Sequence, residues 1–232
     1  MSINTKDRLI FALDVAEVDQ AKALVNELAD AVTFYKIGME LMMTGEYFDL
    51  LDWLVKNEKK VFVDLKLFDV PITVSKAVKR LSKRGAYFTT IHGNQGMMEA
   101  AAAEKGDLKI LAVTALTSLD EGDIKDLGFA CDVQELVVSR ARRALSSGCD
   151  GIVASGMELE YIRDEVSDKL LIVTPGIRPV ENRSTDDQKR IVSVEQAFQR
   201  GADYIVVGRP IKNAANPKRA AELIQETILN SI

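Results

Sequence analysis

The feature that most restricts the fold of this chain is an alternation of short β-branched, apolar runs with longer stretches whose apolar residues return at helical spacing. Eight runs qualify: Leu9–Val15, Thr33–Gly38, Val61–Leu67, Tyr87–Gly93, Lys109–Leu116, Gly151–Gly156, Leu170–Gly176 and Tyr204–Arg209. Between them lie amphipathic segments such as Asp19–Asp30, Val70–Arg84, Val133–Ser147 and Pro217–Leu229. Asn216 followed by Pro217 has the form of a helix N-cap with proline at the first helical position. No Gly/Ser-rich linker or shift in composition divides the chain. Eight strand–helix units in one block predict a single α/β domain over residues 1–232, a (β/α)8 or TIM barrel, with a doubly wound open sheet as the alternative.

The faces of the strands carry more information than their number. In Val61-Phe62-Val63-Asp64-Leu65-Lys66-Leu67 the odd positions are aliphatic, and Asp64 and Lys66 share the other face because side chains alternate along a strand. The aliphatic face must pack on helices, so the charges point into the barrel. The same alternation sets Asp14 against Leu13, Lys36 against Tyr35 and Ile37, and Ser155 against Ala154. Each polar residue falls at the C-terminal end of its strand, where barrel active sites are built. The last inward polar residues, Asp14, Lys36, Lys66, His92, Thr117, Ser155, Arg178 and Arg209, recur at intervals of 22 to 38 residues. The longest interval contains Asp120–Asp132, a candidate lid or subunit contact. The polar stretch Arg178–Ser193 follows the seventh strand and is expected to close over a ligand.

Composition narrows the chemistry. One His (His92) and two Cys (Cys131, Cys149) cannot build a zinc cage, a disulfide framework or a His-centred triad. The N-terminal MSINTKDRL lacks the apolar stretch of a signal peptide, and no apolar run reaches membrane-spanning length, so a cytoplasmic protein is expected. A net charge of -5 without a Lys/Arg cluster gives no footprint for nucleic acid or membrane, so cations that hold an anionic ligand must be local. Both Cys are expected as small buried hydrophobes, His92 as structural, and Met39, Met42, Met43 and Trp53 as core or helix-packing residues.

The most informative string is Asp64-x-Lys66-x-x-Asp69, followed by Pro71 and Thr73. With Lys36 from the preceding strand it brings two ammonium groups and two carboxylates to the barrel mouth, a set that can be buried as a unit because its charges sum to zero. Barrel interiors are normally layers of Val, Ile and Leu, so such a set argues for a site over a structural plug. The string DLKLFDVPITV resembles the signature of the orotidine 5'-monophosphate decarboxylase family, and the resemblance runs over the whole chain: FALD ending at Asp14, YKIG with Lys36, ALTS with Thr117, Ser155, TPGIRP from Thr174 to Pro179, Gln188, and VGRPI with Gly208 and Arg209. Many members have His where this chain has Phe68 and Asn where it has Ile72; neither position carries a charge of the set.

The resemblance implies cofactor-free and metal-free loss of CO2 from orotidine 5'-monophosphate to give UMP in pyrimidine biosynthesis. It assigns catalysis to Lys66, Asp64, Asp69 and Lys36, with Lys66 stabilising and then protonating a carbanion at C6. It implies substrate contacts from Asp14 and Lys36 to the ribose, from Arg209, Gly208, Gln188 and Arg178 to the phosphate, and from Ser155 and Thr117 near the pyrimidine. Ser155 and Thr117 can equally be small, satisfied barrel residues. It further implies a homodimer in which Asp69 and Thr73 reach the neighbour's substrate. Three alternatives remain. A metal-dependent phosphosugar lyase shares D-x-K-x-x-D but needs a further carboxylate where this chain has Lys36. A Schiff-base aldolase needs a neutral amine, whereas carboxylates flank both lysines. A non-catalytic nucleotide-binding barrel would keep the phosphate grip without the alternating charges.

Overall fold

The computed structural model describes residues 3–178 and 191–232. Eight parallel strands close into a barrel in chain order: β1 Leu9–Ala12, β2 Phe34–Ile37, β3 Lys60–Leu67, β4 Phe88–His92, β5 Lys109–Val113, β6 Gly151–Val153, β7 Leu171–Thr174 and β8 Tyr204–Val207. β8 pairs back onto β1 through Leu9↔Ile205, Ile10↔Val206 and Phe11↔Val207. The expected runs all appear, shorter by one to three residues at most C-terminal ends, so Asp14, Thr117 and Ser155 lie in the loops just past their strands.

Alternation sorts the strand residues into two cores. Ile10, Ala12, Phe34, Phe62, Phe88, Leu111, Val173, Tyr204 and Val206 fill the barrel. Phe34, Phe88 and Tyr204 meet there with ring centroids 5.2–6.0 Å apart, stacked or edge-on. The other face of each strand packs against the helices in a larger cluster. The helix Val18–Leu28 buries Val18, Ala21, Val25 and Leu28, spacings of three and four that keep one stripe facing the sheet. Helix starts follow their sequence signals. The Asn216 side chain accepts from the Arg219 amide ahead of Pro217, and Asp132 with Glu135 forms a capping box at Val133–Ser146. The segment Asp120–Asp132 carries its own short helix, Glu121–Asp126, behind a second capping box.

β3 departs from regularity. It pairs Val63 with Thr89 and next Leu67 with Ile91, so Asp64, Leu65 and Lys66 together face Thr90 alone. Lys66 takes up the slack at φ +47°, in the left-handed region. Of the described non-glycine residues with positive φ, Ala29 and Glu58 lie at helix C-termini, a common place for that conformation, and only Lys66 lies in a strand. Leu65 and Leu67 still pack against the helix-side core. The faces follow the alternation, then, but a bulge delivers Lys66 to the mouth.

Candidate active site

The C-terminal mouth of the barrel holds a cavity of about 250 Å3. Ala12, Phe62, Val113, Val153 and Val206 form its apolar depth, and Asp14, Lys36, Asp64, Lys66, Thr117, Arg178, Gly208, Arg209 and Lys212 line it above. Asp64 is the hub. It is buried one residue pair above Phe62 on the inner face of β3. Lys66 Nζ donates to both of its carboxylate oxygens at 2.9 and 3.0 Å, and the Thr90 hydroxyl donates to Oδ1 at 2.9 Å. Lys36 Nζ stands 3.5 Å from Asp64 Oδ2 and donates to Asp14 Oδ1 at 3.1 Å. Four charges therefore alternate in space as Asp14, Lys36, Asp64, Lys66.

The alternation fixes the ionisation of its inner pair, Lys36 and Asp64. Burial alone would push the Asp64 carboxyl up, but the charges of Lys36 and Lys66 and the hydrogen bonds from Lys66 and Thr90 more than offset it, and its pKa lies below the ordinary value. Burial alone would likewise favour the neutral amine of Lys36; Asp64 and Asp14 reverse this, and its pKa is raised. A charged Lys36 is a poor Schiff-base nucleophile. The oxygens of Asp64 are taken by two ammonium groups and a hydroxyl, and among the described residues no group of three or more His, Cys, Asp or Glu side chains is placed to hold a metal ion.

Of the residues expected from sequence, Asp14, Lys36, Asp64, Lys66, Thr117, Arg178, Gly208 and Arg209 converge on this cavity. Asp69 and Thr73 do not. Both are exposed, and Asp69 Oδ1 accepts from the adjacent Val70 amide at 2.6 Å. Within one chain the charge-neutral set contains Asp14, exposed at the rim, in place of the expected Asp69. Ser155 is buried beside the cavity without lining it, and its Oγ accepts from the Met157 amide at 3.2 Å. Gln188 lies outside the described residues. His92 is half-buried with its ring 4.6 Å from that of Phe68, and burial followed by the charges of Arg140 and Lys66 lowers its pKa, which keeps it neutral at pH 7.

Three surface expectations need correction. Met39 and Met43 are 60% and 80% exposed, because the helix Met39–Met42 is a single turn that buries only Leu41. Cys131 is half-buried on a separate groove with Phe129 and Arg140, whereas Cys149 is buried as expected. Two site residues were not anticipated. Lys212, one turn beyond Arg209, donates from Nζ to the Asp14 carbonyl oxygen at 2.6 Å; its spacing from Arg209 was the available signal. Thr90 shares the inward face of its strand with His92, but nothing in the sequence marks it as a partner of the charged set.

A closed (β/α)8 barrel whose mouth alternates lysine and aspartate over an apolar depth defines a class: barrel enzymes that act on a small anionic substrate by electrostatics. Residues 7–224 match the family described as orotidine 5'-phosphate decarboxylase / HUMPS. Orotidine 5'-phosphate decarboxylase of Methylococcus capsulatus is 63% identical over 226 residues, 97% of this chain and 93% of that protein. The crystal structure of orotidine 5'-phosphate decarboxylase from Lactobacillus acidophilus superposes with a TM-score of 0.85 at 33% identity, covering 96% of this chain and 99% of that one. The corresponding enzyme from Pyrococcus horikoshii gives 0.75 at 27% identity, over 95% and 99%. The chain belongs to the orotidine 5'-phosphate decarboxylase / HUMPS family.

Proposed function

We propose that this chain converts orotidine 5'-monophosphate to UMP and CO2, the reaction of pyrimidine biosynthesis that its decarboxylase relatives name, and that the Asp14–Lys36–Asp64–Lys66 array performs it. The observation that carries the reading is Lys66, chelated by both oxygens of a buried Asp64 at the edge of an apolar cavity. When the bond from C6 to the carboxylate breaks, its electron pair stays in the ring plane and cannot delocalise into the π system. With no electron sink, stabilisation must come from a cation already in place. The Lys66 ammonium faces that carbanion and passes it a proton; the amine left behind is reprotonated from solvent. Asp64 fixes Lys66 and stands close to the departing carboxylate. Two like charges about 4 Å apart repel by about 4 kcal/mol at an effective dielectric near 20, a contribution smaller than the barrier reduction enzymes typically achieve.

The remaining cations suit the rest of the substrate. Arg209 and Arg178, both on the cavity lining, suit the phosphate, and Gln188, outside the described residues, is assigned to it by the family resemblance alone. A Cβ at Gly208 would meet Ala12 at 3.4 Å, and glycine there leaves room for a ligand to approach the backbone closely. Asp14 and Lys36 suit the ribose hydroxyls and Thr117 the pyrimidine edge, whereas Ser155, which does not line the cavity, holds its loop through the Met157 amide. Asp69 and Thr73 are exposed outside the lining of their own cavity, amid exposed Phe68, Val70 and Ile72, an apolar patch of the kind a second copy would cover. We therefore read the enzyme as a cytoplasmic homodimer with shared sites. No helix among the described residues is long and apolar enough to cross a membrane.

One experiment tests the chemistry and the sharing together. Purified protein is given orotidine 5'-monophosphate in EDTA and the ultraviolet absorbance followed. Turnover is expected and should vanish in Lys66→Ala and in Asp69→Ala. Mixing the two inactive variants under subunit exchange should restore about a quarter of wild-type activity, since half the dimers are mixed and each mixed dimer has one native site in two. Dependence on added divalent metal would favour the phosphosugar-lyase branch, and no recovery after verified exchange would sink the shared site.

A further inference from the structure

We propose that Thr90 is the positioning residue that sets the catalytic geometry of Lys66, an inference that rests on the role given to Lys66 and Asp64 above. Thr90 is fully buried in β4 and stands alone opposite the three bulged residues 64–66 of β3. Its hydroxyl serves two partners. The oxygen accepts from the Lys66 backbone amide at 3.0 Å, and the hydrogen goes to Asp64 Oδ1 at 2.9 Å. These bonds are interdependent. A hydroxyl that accepts from an amide is left to donate elsewhere, and the nearby carboxylate takes that donation.

The consequence is mechanical. At φ +47° Lys66 sits in a conformation that costs an L-residue about 1 kcal/mol or more and persists only where the surroundings impose it. The hydroxyl of Thr90 replaces the ladder partner that the bulge takes from the Lys66 amide. Because a β-branched side chain is stiff at χ1, the same hydroxyl holds Asp64 at a fixed distance from that backbone. Lys66 is thus fixed at both ends: its backbone by Thr90, and its ammonium by the carboxylate that Thr90 orients. Apolar depth below the cavity would be served as well by Val; the hydroxyl is what the bulge requires.

The matched control is Thr89, equally buried in the same strand, whose hydroxyl donates to the Val63 carbonyl oxygen and touches neither charged residue. Thr90→Val should lower kcat roughly 10- to 100-fold, the scale of losing one hydrogen bond to a charged group. Affinity for UMP, which needs no decarboxylation, should stay within about threefold, and Thr90→Ser should recover kcat to within about threefold of wild type. Thr89→Val should lower the melting temperature comparably with kcat unchanged. Thr90→Ala carries the same test if the valine variant does not fold. Wild-type kcat in folded Thr90→Val or Thr90→Ala, or an equal kcat loss in Thr89→Val, overturns the proposal. Since wild type and Lys66→Ala are assayed alongside, failure of the decarboxylase reading itself shows separately, as absence of turnover in wild type.

Discussion

The two ends of this barrel use the same residue types for opposite purposes. At the N-terminal end three aspartates each take one cation and one further polar group. Asp7 takes Lys60 at 2.6 Å and the Thr33 hydroxyl at 2.9 Å. Asp150 takes Lys105 and the Ile110 amide; Asp203 takes Arg163 and the Ile172 amide. Lys109 donates to the Tyr87 hydroxyl at 2.6 Å, and Lys60 stands over the Tyr87 ring at 4.5 Å. At the C-terminal end the described lining of the cavity has Lys36, Lys66, Arg178, Arg209 and Lys212 against only Asp14 and Asp64. In a chain of net charge -5 this local excess of cations is what a substrate bearing a phosphate and a carboxylate would neutralise. Matched pairs at one end order strand starts; at the other the charges line an open cavity where a ligand can reach them.

The comparison breaks most readily at Arg209. Arg209→Ala should lower kcat/KM about 100-fold, as expected for a lost charge-assisted grip on phosphate. It should leave the melting temperature nearly unchanged, because Arg209 is exposed at the rim. A fall in kcat/KM below about threefold would place the phosphate elsewhere and remove the main reason for reading the cation excess as a binding feature.

The same contrast explains what could be read from sequence. The eight units, the barrel and the inward direction of Lys36 and Asp64 follow from period-two alternation, a property local to each strand. Arg209 follows as the last inward polar residue of the eighth run, and Gly208 only from the VGRPI resemblance. Thr90 does not, because its importance comes from a register shift between β3 and β4, which no single strand encodes. Asp69 lies at the expected spacing but past the end of β3, exposed and outside the lining of its own cavity, which fits the expectation that it serves a neighbour's site without testing it. Met39 and Met43 read as packing residues because three methionines in five positions suggest a stripe, but a one-turn helix has only one buried position to offer. Apolar residues around the site, Phe68 and Ile72 included, cannot be told by type alone from core.

At the opposite end, Asp7→Ala should be a stability variant only. Asp7 is buried and joins the starts of β2 and β3 through Thr33 and Lys60. Leaving those groups unpaired costs about 1–3 kcal/mol, which for a chain this long is roughly 3–10 °C in melting temperature. At a temperature where the variant is folded, kcat should match wild type to within about twofold. A tenfold loss of kcat with little thermal effect would show that the two ends are coupled and would undo the division of roles.

The smallest effect should come from pH, and it tests the charges at the mouth through their linkage to stability. Asp64 has a folded-state pKa below its unfolded value, so the stability it contributes is present above the ordinary carboxylate range near pH 4 and is lost as pH falls through the folded value. Lys36 has a raised folded-state pKa, so its contribution is complete below the ordinary lysine value near 10.4 and is lost as pH rises through the folded one. Asp64→Asn removes the titration at its centre, and protonated Asp64 resembles Asn. Whatever its sign at neutrality, the melting temperature of wild type minus that of Asp64→Asn should be flat from about pH 5 to 8 and move in favour of the variant by a few degrees below about pH 4. A difference that stays constant down to pH 3 would mean that the lysines at the mouth do not hold Asp64 ionised, and the alternating array would lose its electrostatic basis.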